Sequence, residues 1–491
     1  MAAPLSDLTS WHSDWSGLRV AVFGLGASGF SVADTLAELG CTVLVVAESA
    51  DDLRITMCDV LGVEVLLTAG TEPVPSELQN FGADIAVVSP GYVPTHPLVA
   101  WAALSDVPLW TDIDLAWRLR DKVGSPAEWL LVTGTNGKTT TTQLTAHMLQ
   151  AGGYRVAPCG NIGVPILDAI RDPEGFDYFV VELSSYQLHY TGEVFPHSAV
   201  CLNIADDHLD WHGSLQAYVE AKAKVYHNVR VACVYNKSDP LTEAMVEGAE
   251  VVDGARAIGF DLGVPGTSDV GVVEDVLCDR AFLDDRRDRA IELTTLGELA
   301  DFGLAAPHMV MNVLAASALA RACDVSAEDI SVALASFRVD AHRHEVIAVW
   351  AGVTWIDDSK ATNPHAANAA LSAHQSIVWI VGGLLKGVSL DDLVEKHAHR
   401  LRAAIVIGND RTEVLRAFER HAPTVTVVEV ETAQTSEVMP LAVNFAVGLA
   451  QSQDVVLLAP AAASMDQFKD YAHRGQQFVE AVNAAIGGAH E

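Results

Sequence analysis

The sequence predicts an α/β protein of three consecutive segments, each built on a mostly parallel sheet. Apolar runs of strand length alternate with helical patterns along all 491 residues. Glycine turns also stand directly between a strand and a helix at 24–29 and 134–137, where parallel sheets place their ligands. A chain of this length suggests about three domains.

The first segment, assigned to 1–121, opens with the buried-strand run LRVAVFG (18–24). It continues through the helix-like SVADTLAELG and the strand CTVLVV. The charged stretch LRDKVGSPAEW (119–129) reads as a linker. The second segment, 122–337, opens with WLLVTG (129–134), contains strands DYFVVEL (177–183) and SAVCLN (198–203), and closes with helical patterns at 308–323 and 326–337. The third, 338–491, places strands near EVIAVW, VTWIDD, SIVWIVGG, AAIVIGND and DVVLLAP. No internal repeat is visible, and 262–300 reads as irregular and acidic.

Composition narrows the class. Half of the residues are hydrophobic, in short runs that can fill several cores, and none approaches the roughly 20 residues of a membrane span. The stretch MAAPLSDLTSWHSDWSG (1–17) shows neither a basic nor an apolar leader region. Seven cysteines, odd in number and without a CxxC pair, fit reduced thiols. These features predict a soluble cytoplasmic protein. A formal charge of −34 argues against nucleic acid and against anionic membrane surfaces, while the lack of a spanning run argues against membrane insertion. It leaves room for a small anion held by a few local cations, backbone N–H groups and metal ions.

VTGTNGKTTT (132–141) carries the clearest chemistry. A glycine-rich turn closes backbone N–H groups around phosphate, and the helix N-terminus that follows favours negative charge. Gly134, Thr135, Asn136 and Gly137 form the turn, Lys138 can reach the outer phosphates, and Thr139 or Thr140 can offer a hydroxyl to Mg²⁺. Only two residues separate Gly134 from Gly137, so the full eight-residue spacing of the commonest phosphate loop is absent. The bland alternative is a glycine turn with a surface lysine.

A second glycine pattern, Gly24, Gly26 and Gly29 in GLGASG, follows a strand and opens a helix, with Glu48 after the second strand. Alone it fits a dinucleotide enzyme of Rossmann type. It shows only that backbone can approach a diphosphate, which NAD and a UDP-sugar both carry, and nothing nearby supplies hydride transfer. Glycines serving a tight turn and close helix packing are the structural alternative.

Further motifs follow in order: CGNIGVP (159–165), VELSSYQL (181–188), LNIADDHLDWHG (202–213), AYVEAKAKVY (217–226), AHRHE (341–345), DDSKATNPHA (357–366), GGLLKG (382–387) and APAAASMDQFKDYAHRG (459–475). Over nearly the whole chain this resembles the Mur ligase family, and ELSSYQL with SMDQFKDYAHRG resembles its D-glutamate-adding branch. The resemblance implies a Rossmann-like N-terminal domain for the UDP-substrate, a central P-loop-type ATPase domain, and a Rossmann-like C-terminal domain that binds the amino acid and closes on ATP. It implies a monomer that joins D-glutamate to UDP-N-acetylmuramoyl-L-alanine through an acyl phosphate, with ATP and Mg²⁺ or Mn²⁺. Such chemistry needs metal ions and positioned cations rather than a protein nucleophile, and the sequence offers no convincing Ser–His–Asp or Cys–His set.

Residue by residue, the resemblance implies that Glu182 and His208 contact metal, with Thr139 at the ATP-side ion. Lys222 would be carbamylated by CO₂ and become an anionic metal ligand, which requires a neutral amine and hence burial. From spacing alone AKAK would be an exposed basic helix face, and His208 a surface or structural histidine. Arg343 is implied at ATP phosphates, Asp358 at the ribose, Lys360 at the reacting phosphoryl group or carboxylate, and Asn312 at adenine. Thr362, Lys386, Ser464 and Tyr471 would take D-glutamate. Asn161 and Ser184 would line the muramoyl–alanine path, while Ala27 and Ser28 would meet the UDP diphosphate. The sequence departs from the family where Ala47 replaces an acid beside Glu48, where Met309 follows His308, in the apolar GGLLKG, and at Tyr471. Folylpolyglutamate synthase, a nucleotide-sensing protein and an NAD-dependent oxidoreductase are the rival readings; the first lacks a comparable GLGASG front, and a sensor needs no second metal cluster.

Overall fold

Three β-sheets organise the chain in the computed structural model, which describes residues 5–68, 74–432 and 434–487. Residues 1–4 of the stretch read for a leader lie outside the described residues. The first sheet contains β1 (Arg19–Phe23), β2 (Thr42–Ala47), β3 (Glu64–Leu67), β4 (Ile85–Val88) and β5 (Leu109–Trp110), in the order β3-β2-β1-β4-β5 and parallel throughout. β1 and β4 are the neighbours at which strand order reverses, so their carboxyl ends open a crevice. GLGASG leaves β1 at that crevice.

The second sheet contains β6 (Glu128–Thr133), β7 (Val156–Gly160), β8 (Tyr178–Glu182), β9 (Ser198–Cys201), β10 (Ala232–Asn236), β11 (Arg256–Phe260), β12 (Asp269–Val273), β13 (Val276–Asp279) and β14 (Ile291–Thr295). Its order is β14-β13-β12-β11-β10-β9-β6-β8-β7. β6 lies between β9 and β8, parallel to both. Helices cover both faces of such a sheet, which is why WLLVT reads as a continuous apolar run rather than an alternating one. The stretch 262–300 differs from its sequence reading. It holds β12, β13 and β14, joined antiparallel, and the helix Leu296–Asp301. Short strands such as VLCD and IELTT are interrupted by Asp, Gly and Arg, and that composition hid their pairing.

The third sheet contains β15 (Glu345–Trp350), β16 (Val353–Asp357), β17 (Ile377–Gly382), β18 (Leu401–Ile407), β19 (Thr426–Glu429) and β20 (Val455–Leu458), in the order β15-β16-β20-β17-β18-β19. Only β15 runs antiparallel to its neighbour. Two apolar cores flank this sheet, one around Trp379 and Phe418 and the other around Trp355 and Phe478.

The chain divides into two compact units, Met1–Ile204 with Tyr218–Phe337, and Ala205–Ala217 with Arg338–Glu491. The first unit holds the first two sheets because one core runs through both, from Val20, Val22 and Val45 to Leu131, Phe179 and Val181. Polar ties reinforce that core. Ser31 Oγ donates to Asp168 Oδ1 at 2.6 Å, and Arg171 reaches Asp34 at 2.5 Å and Glu38 at 2.9 Å. Thus the helix Ala27–Glu38, which follows the first glycine turn, is fastened to the helix Ile166–Ile170 of the second sheet's layer. No helix among the described residues is long and apolar enough to cross a membrane.

Candidate active site

In the first unit, the second sheet presents chemistry at the carboxyl ends of β6, β8 and β9. β6 runs into the turn 134–137, and the helix Lys138–Ala151 follows at once. Gly134 adopts φ +148° and Gly137 φ +85°, conformations that favour glycine. A Cβ on Gly134 would lie 2.9 Å from Leu202 Cβ, and one on Gly137 would lie 2.4 Å from Asn312 Oδ1. The turn is therefore pressed between β9 and the helix Pro307–Ala322. Asn312 approaches it directly, and Asn312 Nδ2 also meets the Met309 sulfur at 3.9 Å, so the departure at Met309 leaves a soft apolar neighbour there.

Lys138 Nζ donates to Gly134 O at 2.9 Å and Thr135 O at 3.0 Å, folding back over the turn. Thr139 and Thr140 open the helix in buried positions. Glu182 ends β8, one strand from the turn, and is buried; its Oε1 accepts from Asn161 Nδ2 at 2.9 Å. Its Oε2 is buried without a hydrogen-bond partner. A buried carboxylate oxygen left open is costly unless a cation or donor meets it. The donor set therefore fits a hard divalent ion bound by oxygen. Among the described residues no group of three or more His, Cys, Asp or Glu converges on one point, so such an ion would also need hydroxyl, phosphate or modified-lysine ligands.

Lys222 is 1% exposed. Its Nζ donates to Gly134 O at 2.9 Å and Thr133 Oγ1 at 3.2 Å and lies 4.9 Å above the centre of the Tyr218 ring. AKAK is thus not an exposed basic face. Lys224 diverges from it and donates to His189 O. Tyr218 OH and Thr135 Oγ1 lie 2.8 Å apart, giving the turn a further support that sequence patterns did not single out.

The first sheet contributes the other glycine turn. Gly24 has φ +98°, and a Cβ on Gly29 would collide with Gly24 O at 2.1 Å, so close helix approach requires glycine there. Ala27 and Ser28 occupy the first turn of the following helix. Ser28 hydrogen-bonds the buried Asp112, whose carboxyl is pushed up to about 6 chiefly by burial. Ser89 Oγ is buried without a partner and faces Gly24 from the end of β4. Glu48 follows β2 and pairs with His96 Nε2 at 2.9 Å. Ser184 caps the helix Ser185–Tyr190 in a reciprocal pair with Gln187, which engages its hydroxyl locally.

In the second unit, the loops leaving β16, β20 and β17 lie side by side. Ala461 N–H donates to Ala361 O at 2.9 Å, and Leu384 exchanges hydrogen bonds with Ala463 at 2.9 and 3.0 Å. These loops carry Asp358, Lys360 and Thr362, then Ser464, then Lys386. Lys360 Nζ sits 3.8 Å above the Tyr471 ring, so tyrosine still offers the face that phenylalanine would. The Asp358 carboxyl accepts from His344 N–H at 3.1 Å and is pushed up to about 7, mainly by burial, with the Arg343 cation opposing. Lys386 Nζ lies 3.3 Å from His208 Nδ1 and 3.8 Å from Asp207 Oδ1, drawing Asp207 into a cluster that the sequence left unassigned.

Two supports in this unit escaped the sequence reading. Arg474 is fully buried and donates to Ser359 Oγ, Ser359 O and Ala462 O at 3.0, 2.8 and 3.1 Å; burial lowers it to about 9. His342 Nδ1 meets Asp357 Oδ2 at 2.6 Å. Gly475 borders that pair, and a Cβ there would lie 2.3 Å from His342 Nδ1 and 2.9 Å from Asp357 Oδ2. Gly475→Ala is expected to destabilise the protein by about 1–3 kcal/mol through overpacking. Urea unfolding of the two proteins measures this, and an unchanged midpoint would contradict the contact.

Comparison with known proteins follows the same geography. Residues 132–320 match the Mur ligase middle domain, and residues 342–462 match the Mur ligase, glutamate ligase domain. The chain is 63% identical over 495 residues to the UDP-N-acetylmuramoylalanine--D-glutamate ligase of Leifsonia xyli, covering 99% of this chain and 96% of that protein. It is 50% identical to the enzyme of the same name from Streptomyces avermitilis, covering 96% of this chain and 99% of that protein. Among solved structures, a pseudomurein peptide ligase type C from Methanothermus fervidus shares the fold at TM-score 0.57 and 18% identity, over 96% of this chain and all of that one. A UDP-N-acetylmuramate-alanine ligase from Thermotoga maritima does so at TM-score 0.55 and 19% identity, over 95% of this chain and 100% of that one.

Proposed function

The chain belongs to the Mur ligase family, and from that membership we propose that it uses ATP to join D-glutamate to the L-alanyl carboxylate of UDP-N-acetylmuramoyl-L-alanine in peptidoglycan precursor synthesis. The observation that carries the chemistry is the phosphate turn with the open, buried oxygen of Glu182 one strand away. A carboxylate is a poor electrophile and must first be activated. Its oxygen attacks the γ-phosphorus, the bond to ADP breaks, and an acyl phosphate forms. The D-glutamate amine then attacks the acyl carbon, phosphate leaves with the C–O bond electrons, and the amine loses a proton. Both steps concentrate negative charge, so placement of cations and dipoles governs the rate.

In this reading, Gly134, Thr135, Asn136 and Gly137 close around phosphate, Lys138 neutralises its outer charge, and Asn312 meets adenine. Glu182, His208, the Thr139 hydroxyl and Lys222 as a carbamate would serve as ligands to Mg²⁺ or Mn²⁺, which would supply charge neutralisation at the phosphates. The burial of Lys222 supports the carbamate, because a buried amine is more readily neutral. Ala27, Ser28 and Glu48 take the UDP end, and Asn161 and Ser184 the path toward alanine. Arg343, Asp358 and Lys360 serve ATP and the transferred phosphoryl group. Thr362, Lys386, Ser464 and Tyr471 receive D-glutamate, whose carboxylates need a cation and hydroxyl donors. In the same reading, 1–121 is assigned to the UDP-substrate, 122–337 to ATP and 338–491 to the amino acid.

The test is phosphate release with ATP, Mg²⁺ and UDP-N-acetylmuramoyl-L-alanine, comparing D-glutamate with L-glutamate, D-alanine, L-lysine and meso-diaminopimelate. Release and a product of the expected mass with D-glutamate alone are expected; activity with another amino acid would overturn the branch assignment.

Asp358 gives the reaction a pH signature. Its folded value of about 7 lies above the ordinary carboxylate value of 3.8, so the fold favours the neutral acid. That stabilisation is fully present in acid and is lost as pH rises through about 7. The ionised form is the better acceptor for ribose hydroxyls, so the KM for ATP should fall between pH 6 and pH 8. Asp358→Asn should flatten that dependence; a variant that keeps the slope would remove Asp358 from this role.

A further inference from the structure

Between the two left-handed glycines of the phosphate turn sits Asn136, and the structure grips it from outside the turn. Asn136 N–H donates to the side-chain Oδ1 of Asn203 at 2.9 Å, and Asn203 Nδ2 donates back to Asn136 O at 3.1 Å. One side-chain amide thus holds both the donor and the acceptor of a single residue, as a neighbouring strand would. The backbone of Asn203 adds a third tie, since its carbonyl accepts from Thr135 N–H at 2.9 Å. Asn203 lies two residues beyond β9 and extends that strand's edge along the turn.

The physical need is plain. Gly134 at φ +148° and Gly137 at φ +85° give the turn its shape, but glycines also give it the greatest conformational freedom in the absence of a ligand. A brace between them fixes the peptide planes of the turn, so less ordering remains to be done when the nucleotide binds. We propose that Asn203 is a positioning residue that sets the conformation of the turn 134–137 and thereby the affinity for the polyphosphate of ATP. This rests on the reading of that turn as the phosphate loop.

Two substitutions in the full chain separate the roles. Asn203→Ala removes both side-chain bonds and should weaken ATP binding about tenfold or more. Asn203→Asp is isosteric and keeps the acceptor for Asn136 N–H, but it replaces the donor with an anion beside the polyphosphate. Its loss should therefore grow from AMP to ADP to ATP, and this variant carries the test if the alanine variant fails to fold. Titration calorimetry with the three nucleotides reads the affinities, with melting temperature alongside. The KM for D-glutamate should stay within about twofold of wild type, well below the tenfold that corresponds to 1.4 kcal/mol. Wild-type affinity for ATP in both variants overturns the proposal. Equal losses for AMP, ADP and ATP with a lowered melting temperature would assign Asn203 to the fold alone and overturn it as well. Lys138→Ala separates the two failures. If it leaves ATP affinity unchanged, the phosphate-loop reading itself falls; if it weakens ATP while both Asn203 variants do not, only the role of Asn203 falls.

Discussion

Lys138→Ala should lower turnover by about 10³-fold, a loss of the size seen when one transition-state charge stabiliser is removed. The residue opens the helix Lys138–Ala151, and its amine already rests on the carbonyls of Gly134 and Thr135. A carbonyl-bound ammonium at the mouth of a turn is a cation held in place before phosphate arrives. Alanine keeps the helix start, since alanine is the best helix former, so folding should survive while the charge is lost. Phosphate release at saturating ATP, with urea unfolding as control, checks both halves. A wild-type kcat would take Lys138 out of the site and return it to the surface-lysine reading.

Lys222→Ala should be equally severe, with activity lowered about 10³-fold or more if the side chain supplies an anionic metal ligand. A lysine with 1% exposure must have its ammonium satisfied or its charge removed, and here the amine is packed against Gly134 O, Thr133 Oγ1 and the face of Tyr218. The distinguishing result is chemical rescue. A short carboxylate such as formate or acetate should enter the space left by the truncated side chain and restore part of the rate. A carbamate carbon should also be visible by ¹³C NMR in wild-type protein equilibrated with labelled bicarbonate. Full activity without lysine would refute the carbamate, and an inactive variant that no carboxylate rescues would leave only a packing or hydrogen-bonding role.

Much of this site was legible because its backbone is unusual. Gly24, Gly29, Gly134 and Gly137 stand where a Cβ would collide or the chain turns left-handed, and such positions announce themselves as glycine between an apolar strand and a helix. Strands covered on both faces were equally plain, since WLLVT and IVWIVG have no polar side to show. What stayed hidden depends on contacts distant in sequence. Nothing local distinguishes Asn203 from any loop asparagine, because its partner lies 67 residues earlier. Nothing local marks Arg474 as buried, and its burial follows only from the loops at 359 and 462 folding over it. β12 to β14 were missed because antiparallel pairing of short strands needs little apolar sequence. Lys222 shows the limit most clearly: spacing favoured an exposed face, and burial is set by the strand ends around it.

The fastening of the helix Ala27–Glu38 to the helix Ile166–Ile170 has a consequence for which molecules can react at all. A common core and the Ser31–Asp168 and Arg171 ties make the two glycine turns fixed points on one body, so the span between them works as a gauge. On the proposed assignment of the diphosphate to the first turn, a compound anchored there would present its far carboxylate at the other mark only when the intervening sugar and amino acid have the right length. Selectivity against precursors one residue shorter or longer would then need no pocket that recognises the missing or extra residue. Altering it would require moving the marks, through the packing that joins two sheets, rather than reshaping the surface that touches the substrate.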